Sequence, residues 1–493
     1  MNDFERKSSF IQFDDDLNQK IRQFALALTE LELSYQDRVI VRFWNEIDFI
    51  ITYFALLQIN CIPVTVSPLL TKSELENIYL HSGAKLIISF DNLENLAKQF
   101  TIQQICPDLH SPNKSSERSN RFIEESSKER TSFKKQANHK IPTDLRAIIY
   151  TSGTTGSPKG VMLTQSNIKS QVASASRVLK LTPNDSFLGI LSLSHVFGQM
   201  DVMWAAKEVG CRIHLLKHFN VREALTMLRD NNITVLIAVP TMYQLMVRYL
   251  EKNPMSFPKL RVCHSGAAPM SETLFSEIEK HFGAPVQEGY GLTETCSMAF
   301  SNPLDGLRKP SSVGKPINGV TYKLIDEKGN KINSANEVGE VCIKGPIVTP
   351  GYLFEESLTK RAFDEENYLL TGDLGYFDEE GYLFLVDRKK DLIIRSGFKV
   401  YPREVEEILQ KHPGVLQAVV MGIDNELQNQ KIKAFIVPKN QLVSDEDLKG
   451  LINELRSFCI EHLAKYKQPN YYEIVDNIPQ TPSGKPLRRF LKS

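Results

Sequence analysis

The first three hundred residues alternate between short β-branched runs and segments with apolar residues at helical spacing. Apolar residues recur every three or four positions between about residues 14 and 31, and residues 39–43 then form a β-branched run. Further strands are predicted at 62–66, 85–88, 147–151, 235–239 and 286–288. Because strands and helices take turns along the chain, the sequence predicts an α/β fold.

The pattern changes twice before the end of the chain. Beyond residue 320 short strands are separated by turns such as Lys328-Gly329-Asn330, which predicts a small β-subdomain at about 315–389. Strands and helices alternate again in the last hundred residues. We therefore predict a large N-terminal domain at 1–389, built of α/β sheet subdomains and the β-subdomain, and a small, mobile α/β domain at 390–493. Residues 110–140 are charged and serine-rich, which predicts a flexible linker or surface excursion.

Charge and composition narrow the class of partner. The chain has 493 residues, with 59 Lys and Arg against 59 Asp and Glu, so no net basic field favours nucleic acid. The apolar stretch 49–66 contains Gln58, Asn60 and Pro63 and is shorter than the roughly 20 residues of a membrane span. The seven cysteines form no C-x-x-C pair. We expect a cytoplasmic protein that binds a small molecule.

The strongest motif is the string Y-T-S-G-T-T-G-S-P-K-G-V from Tyr150 to Val161. Backbone N–H groups, hydroxyls and the charge of Lys159 after a buried strand suit a phosphate-binding loop. It is not a Walker A loop, because Ser157 and Pro158 break that spacing. A dinucleotide fingerprint also fails at residues 289–294, where Glu294 stands in place of the third glycine.

With four further motifs the loop resembles the adenylate-forming superfamily of acyl-CoA synthetases, peptide-synthetase adenylation domains and beetle luciferases. The sequence 289–295 (G-Y-G-L-T-E-T) is similar to the family's Y-G-x-T-E element, and Thr371-Gly372-Asp373 to its T-G-D element. Residues 387–406 resemble the hinge segment, and 479–485 (P-Q-T-P-S-G-K) the loop of the catalytic lysine. The motifs occur in family order.

The resemblance implies a role for each matched residue. Lys485 corresponds to the lysine between the substrate carboxylate and the α-phosphate of ATP, Thr154 and Glu294 to residues at Mg²⁺ and triphosphate, and Lys390 to the pivot of the small domain. The other residues implied are Thr151, Ser152, Gly153, Thr155, Gly156 and Lys159 in the phosphate loop; Gly266, Ala267, Ala268, Glu288, Gly289, Tyr290, Gly291 and Thr293 around the adenine; Asp373 and Arg388 at the ribose; and Ser396, Gly397 and Phe398 at the pantetheine tunnel.

Electrostatics explains why such a site needs cations. A carboxylate that attacks a phosphate brings two anions to about 4 Å, where their repulsion is roughly 4 kcal/mol at an effective dielectric of about 20. Taken singly, Lys485 and Glu294 would be interpreted as ordinary surface residues, and Asp373 and Gly397 as ordinary turn residues. The adenine segments would be interpreted as tight turns at strand ends. Only their combination indicates a site.

The position of His195 corresponds to the floor of the acyl pocket, where we expect a positioning or gating group. Val196 follows it, whereas amino-acid-activating relatives typically carry Asp there, so an amino acid substrate is disfavoured. The next apolar residues indicate an apolar pocket wall, although packing of a helix into the core gives the same pattern. These residues are Phe197, Met200, Val202, Met203 and Trp204.

The sequence thus predicts an acyl-CoA synthetase that uses ATP, Mg²⁺ and CoA to activate a carboxylic acid, with a fatty acid expected first. One alternative is a ligase that loads the phosphopantetheine of an acyl carrier protein. Another is a catalytically silent binding homologue, which the intact Lys485, Glu294, Asp373 and Arg388 disfavour.

Overall fold

The computed structural model describes residues 10–91, 103–105, 141–151, 158–395, 398–423, 430–439, 444–479, 486 and 488–491. The predicted linker at 110–140 lies outside these residues. In the described part of the chain no helix has the length and apolarity needed to cross a membrane.

The first sheet has six strands in the order β4-β3-β1-β2-β5-β6, all parallel except β6. Its strands are β1 (Arg38–Arg42), β2 (Ile62–Thr65), β3 (Leu86–Ser89), β4 (Gln103–Ile105), β5 (Leu145–Thr151) and β6 (Lys159–Thr164). Helices α1 (Asp15–Thr29), α2 (Ile47–Gln58) and α3 (Lys72–Ser82) connect or cover them. In α1, Leu17, Ile21, Phe24 and Leu28 are buried, as their spacing predicts.

The second sheet has seven strands in the order β13-β12-β11-β10-β9-β7-β8. These are β7 (Ser186–Gly189), β8 (Arg212–Leu215), β9 (Val235–Ala238), β10 (Val262–Ser265), β11 (Val286–Leu292), β12 (Ser297–Ser301) and β13 (Lys315–Pro316). Its helices are α4 (Gln165–Val178), α5 (Val221–Asp230), α6 (Pro240–Lys252) and α7 (Glu272–Phe282). Strands β7 to β11 are parallel, so β10 and β11 end at the same edge of the sheet.

Between β7 and β8 the chain forms an unusual helical run. It consists of a short α-helix Val196–Gly198, a π-helix Gln199–Trp204 and an α-helix Ala205–Val209. Because π-helical turns are rare and often lie at functional sites, this run is a candidate part of the functional site.

Residues 321–388 form a five-stranded antiparallel sheet in the order β15-β14-β16-β17-β18. Its strands are β14 (Thr321–Ile325), β15 (Lys331–Ile332), β16 (Gly339–Lys344), β17 (Leu369–Phe377) and β18 (Leu383–Arg388), with α8 (Glu356–Ala362) between β16 and β17.

The C-terminal part packs around its own apolar core. It contains the hairpin β19 (Ile393–Arg395) and β20 (Phe398–Val400), then α9 (Pro402–Lys411), β21 (Val415–Ile423), β22 (Lys431–Pro438), α10 (Asp445–His462), β23 (Tyr471–Ile474) and a 3₁₀ turn Arg488–Leu491. Val405, Leu409 and Leu455 are among the buried residues of this core. The α/β fold class is confirmed, whereas the mobility of the small domain and the boundary at residue 389 stay predictions.

Candidate active site

Glu294 lies in a tight turn directly after β11. The 3₁₀ turn Thr293–Thr295 is fixed because Thr295 Oγ1 accepts a hydrogen bond from the Leu292 N–H at 2.8 Å. Gly291 is required here, since a Cβ atom at this position would lie 1.6 Å from the Ser297 carbonyl oxygen. The turn therefore presents the Glu294 side chain at the end of a parallel strand, where ligands bind in α/β sheets.

Tyr352 connects Glu294 with the phosphate-loop strand β6. Its hydroxyl donates a hydrogen bond to Glu294 Oε1 at 2.8 Å, and Lys159 Nζ lies 5.6 Å from the centre of its ring. Burial, with the Glu294 carboxylate adding to it, raises the pKa of Tyr352, so the phenol stays a donor. The Leu353 N–H bonds the Gly160 carbonyl at 2.8 Å, which fixes this segment against β6. The sequence motifs did not predict Tyr352. The sequence feature that could have drawn attention to it is the Pro350-Gly351 pair directly before it, which is typical of a turn.

Asp373 and Arg388 face each other on the neighbouring strands β17 and β18. Arg388 Nε lies 3.0 Å from Asp373 Oδ1, and the Tyr290 hydroxyl donates to Asp373 Oδ2 at 2.6 Å. Burial acts to lower the pKa of Arg388, but the Asp373 carboxylate together with Tyr290, Asp391 and Glu294 outweighs it, and the pKa is raised. The structure thus joins the predicted ribose pair to Tyr290 of the predicted adenine segment.

The first predicted adenine segment directly follows β10, and the second lies within the neighbouring strand β11 and the turn after it. Gly266 is buried after β10, and a Cβ atom there would lie 3.2 Å from the Gly289 carbonyl oxygen and 3.4 Å from the Phe197 ring. Ala267 has φ +68°, a left-handed conformation that is rare for residues other than glycine, and lies exposed before Ala268. The missing side chain at Gly266 therefore lets the ends of β10 and β11 and the Phe197 ring pack closely together.

Glu288 is an unusual neighbour of these small residues. Its side chain is buried, and its Oε2 atom has no hydrogen-bond partner within the described part of the chain. Burial raises its pKa to about 8, although Arg403 and a backbone hydrogen bond from Met270 act in the opposite direction. An unpaired buried oxygen costs free energy, so a ligand that donates a hydrogen bond here would stabilise the site.

His195 caps the helical run that follows it. Its Nδ1 accepts a hydrogen bond from the Phe197 N–H at 3.3 Å, and its ring is half-buried. This geometry suits the predicted positioning role. Phe197 lies against Gly266, whereas Met200 and Met203 are fully buried in the core that contains α2.

The rest of the predicted pocket wall also packs into the protein. Val202 belongs to a second core, and Trp204 Nε1 donates a hydrogen bond to the Tyr53 hydroxyl at 3.3 Å. Core packing therefore accounts for these apolar residues, and Phe197 is the member of the run that contacts an adenine segment.

Several predicted residues lie outside the described residues. They are Ser152, Gly153, Thr154, Thr155, Gly156, Ser396, Gly397 and Lys485. Thr151 is the last residue of β5, and Phe398, at the start of β20, is 54% exposed with its ring stacked on Tyr466 at 4.7 Å. Lys390 is exposed in the turn that the Asp391 N–H closes by bonding the Arg388 carbonyl at 2.9 Å.

The carboxylates of the site do not form a metal centre by themselves. Among the residues that the structure describes, no three His, Cys, Asp or Glu side chains converge closely enough to hold a metal ion. A single carboxylate such as Glu294 suits Mg²⁺ that is held mainly by water and phosphate oxygens.

Comparison with known proteins identifies the family. The model of the AMP-binding enzyme family matches residues 15–353, and that of the AMP-binding enzyme C-terminal domain matches residues 404–485. The chain belongs to the AMP-binding enzyme family. It is 35% identical to oxalate–CoA ligase of Arabidopsis thaliana, with 92% of this chain and 88% of the relative covered. It is 31% identical to long-chain-fatty-acid–CoA ligase of Bacillus subtilis, with coverage of 92% and 85%.

A solved structure shows the same architecture. O-succinylbenzoate coenzyme A synthetase from Bacillus subtilis, in complex with ATP and magnesium ion, superposes with a TM-score of 0.81 at 28% identity, over 97% of this chain and 94% of that one. The chain is an AMP-forming acid–CoA ligase with the large N-terminal and small C-terminal domains of this superfamily, and the family uses ATP, Mg²⁺ and CoA.

Proposed function

We propose that this AMP-binding enzyme activates an apolar carboxylic acid as acyl-AMP and transfers the acyl group to CoA. The observation that carries the proposal is the pair of bonded clusters at the site. One joins Glu294 and Lys159 around Tyr352, and the other joins Asp373 and Arg388 to Tyr290. A phosphate and a ribose need such groups in fixed positions.

The donors and acceptors of the second cluster fit a ribose. The Asp373 carboxylate has about four acceptor positions, of which Arg388 and Tyr290 occupy two. Two positions remain for the ribose hydroxyls. At the base, the unpaired Oε2 atom of Glu288 fits the exocyclic amino group of an adenine.

Glu294, together with Thr154, would hold Mg²⁺ at the triphosphate, where the ion would neutralise phosphate charge. The Tyr352 hydroxyl holds one oxygen of Glu294 in position. Lys159 contributes a positive charge beside the same tyrosine ring. This side of the site therefore orients and neutralises the triphosphate before the reaction.

The reaction has two steps, adenylation of the acid and formation of the thioester. A carboxylate oxygen attacks the α-phosphorus, an oxygen–phosphorus bond forms, and the bond to pyrophosphate breaks. The CoA thiol then loses its proton to solvent and its sulfur attacks the acyl carbonyl carbon. A carbon–sulfur bond forms, the carbon–oxygen bond to AMP breaks, and AMP leaves with the bridging oxygen. Lys485 is assigned to the first step, where its charge lies between the two anions.

The apolar substrate, with a fatty acid preferred over an aryl acid, rests on Val196 and Phe197. Both are buried, and Phe197 borders Gly266 in the predicted pocket. An apolar side chain at 196 leaves an ammonium group of an amino acid without a partner, which costs free energy.

Pyrophosphate release from a panel of acids, with and without CoA, tests this proposal. We expect fatty acids of increasing length to gain about 0.8 kcal/mol per buried methylene until the pocket is filled. A dicarboxylic or amino acid as the best substrate would overturn the apolar assignment. Release that needs a carrier protein instead of CoA would favour the carrier-loading alternative.

Lys485→Ala tests the assignment of the two steps. We expect pyrophosphate exchange to fall by about 10²–10³-fold, whereas thioester formation from synthetic acyl-AMP is retained. Equal losses in both half-reactions would contradict the role of Lys485.

A further inference from the structure

Asp201 is a fully buried carboxyl group in the middle of the π-helix Gln199–Trp204. Its Oδ2 accepts a hydrogen bond from Ser297 Oγ at 2.5 Å, and its Oδ1 accepts one from Gln171 Nε2 at 3.3 Å. None of the roles assigned above uses this group. A carboxyl group is costly to bury, and an apolar residue of the same size would be easier to accommodate in the core.

Ser297, the hydrogen-bond donor, ends a strained stretch of backbone. Cys296 has φ +55° and Ser297 has φ +110°, so two successive residues other than glycine lie at positive φ. Such conformations are unfavourable and persist only where the surroundings hold them. The Ser297 carbonyl oxygen also accepts a hydrogen bond from Thr295 Oγ1 at 2.9 Å.

This strained stretch is continuous with the turn that carries Glu294. On one side the turn is held by the segment before α8, because the Thr349 N–H bonds the Glu294 carbonyl at 2.8 Å and Tyr352 bonds the Glu294 side chain. Towards the π-helix, Asp201 contacts the turn through Ser297. The Glu294 turn therefore lies between two sets of hydrogen bonds from distant parts of the chain.

We propose that Asp201 is a positioning residue, which holds the strained turn through Ser297 and so fixes Glu294 for the adenylation step. The inference rests on the proposed role of Glu294. The bond that matters is the one that Ser297 donates, and an oxygen of Asp201 accepts it whether the carboxyl group is charged or neutral. The π-helix provides the geometry, because it places Asp201 opposite β12 while the neighbouring Met200 and Met203 stay in the core.

Three variants test the inference. Asp201→Val removes the acceptor at nearly constant volume. Asp201→Asn keeps an acceptor for Ser297, and its amide can donate to Gln171 Oε1, which has no partner in the described part of the chain. Ser297→Ala removes only the donor hydroxyl. We would measure the Mg²⁺ concentration that gives half-maximal pyrophosphate exchange, the KM for ATP, and thioester formation from synthetic acyl-AMP.

We expect Asp201→Val and Ser297→Ala each to raise both the Mg²⁺ requirement and the KM for ATP about tenfold, and the double variant to be no worse than either. Thioester formation should change by less than about twofold, and Asp201→Asn should restore exchange. Equal effects on both half-reactions, or an Asn variant as impaired as the Val variant, would overturn the inference. If Asp201→Val does not fold, Ser297→Ala carries the same comparison.

Glu294→Gln separates this inference from the function on which it rests. An unchanged Mg²⁺ requirement in Glu294→Gln would overturn the role of Glu294 and the inference with it. A raised requirement in Glu294→Gln combined with wild-type values in Ser297→Ala would overturn only the positioning role of Asp201.

Discussion

The nucleotide cluster and the hinge differ in how their charged groups are held. Asp373 is 6% exposed and contacts both Arg388 and Tyr290, so three strands fix its position. Two residues after Arg388, Lys390 is exposed in a turn. We therefore expect rotation at the predicted pivot, Lys390, to leave the nucleotide cluster undisturbed.

The residue before Lys390 marks the end of the fixed part. The Lys389 N–H bonds the Gly372 carbonyl at 2.9 Å, and Lys389 Nζ lies 2.8 Å from Oε2 of the buried Glu340. Glu340 Oε1 in turn accepts the Gly372 N–H at 3.1 Å. Through residue 389 the chain is therefore anchored to β16 and β17, and the predicted pivot, Lys390, directly follows this anchor.

The largest effect should come from breaking the fixed cluster. Asp373→Ala leaves the Arg388 guanidinium and the Tyr290 hydroxyl without their partner in a largely buried site, and it removes the proposed ribose acceptor. We expect kcat/KM for ATP in pyrophosphate exchange to fall by about 10²–10³-fold.

A matched control lies in the same hairpin. Asp378 also pairs with a cation, since Lys309 Nζ lies 2.5 Å from its Oδ2, but it lies in the turn between β17 and β18 and belongs to none of the predicted nucleotide motifs. Asp378→Ala should leave the KM for ATP unchanged. Comparable losses in the two variants would mean that Asp373 acts only through the stability of the hairpin.

The parts of this cluster that the sequence predicts are those that short motifs encode. Asp373, Arg388 and Tyr290 each belong to a motif, and the boundaries of α1, β1 and β11 lie within a few residues of their predicted places. Hydrophobic periodicity and turn residues are local signals, so they specify elements well.

Short motifs do not predict contacts between residues that are distant in the sequence. Tyr290 and Asp373 are 83 positions apart, and Glu294 and Tyr352 are 58 positions apart. No periodic pattern reports such a pair. The apolar run after His195 was also ambiguous, because a pocket wall and a core helix bury the same residue types, and only packing shows that Met200 and Met203 belong to the core.

The second prediction concerns the hinge. Lys390→Pro fixes φ at residue 390 near roughly −65° and restricts Lys389 as well. We expect pyrophosphate exchange to persist and thioester formation to fall by roughly 10²-fold, because the hinge role predicted for Lys390 requires domain rotation only for the second half-reaction. Both rates are measured on the same preparation.

Lys390→Ala is the control for this substitution, since it removes the side chain and leaves the backbone free. It should change the ratio of the two half-reactions by less than about threefold. If the Pro variant had a wild-type ratio, the pivot would lie elsewhere in the 387–406 segment.

The smallest expected effect concerns the charge of Glu288 in the nucleotide site. Burial raises its pKa from the ordinary value of 4.5 to about 8, against the lowering effect of Arg403. Between these two values the folded protein binds a proton that the unfolded chain has released. Stability should therefore fall as pH rises from about 5 to 8.5, by up to a few kcal/mol at roughly 1.4 kcal/mol per unit of pKa shift.

Glu288→Gln removes this titration, so the variant should gain thermal stability relative to wild type as pH rises, and the difference in Tm should be larger at pH 8.5 than at pH 5.5. Glu473→Gln is the control, because Glu473 is partly exposed and pairs with Lys433 at 2.5 Å, away from the groups that act on Glu288. Its difference in Tm should stay nearly constant with pH. A constant difference for Glu288→Gln as well would mean that Glu288 is ionised throughout, and that the nucleotide site holds a fixed negative charge beside the adenine segments instead of a neutral carboxyl group.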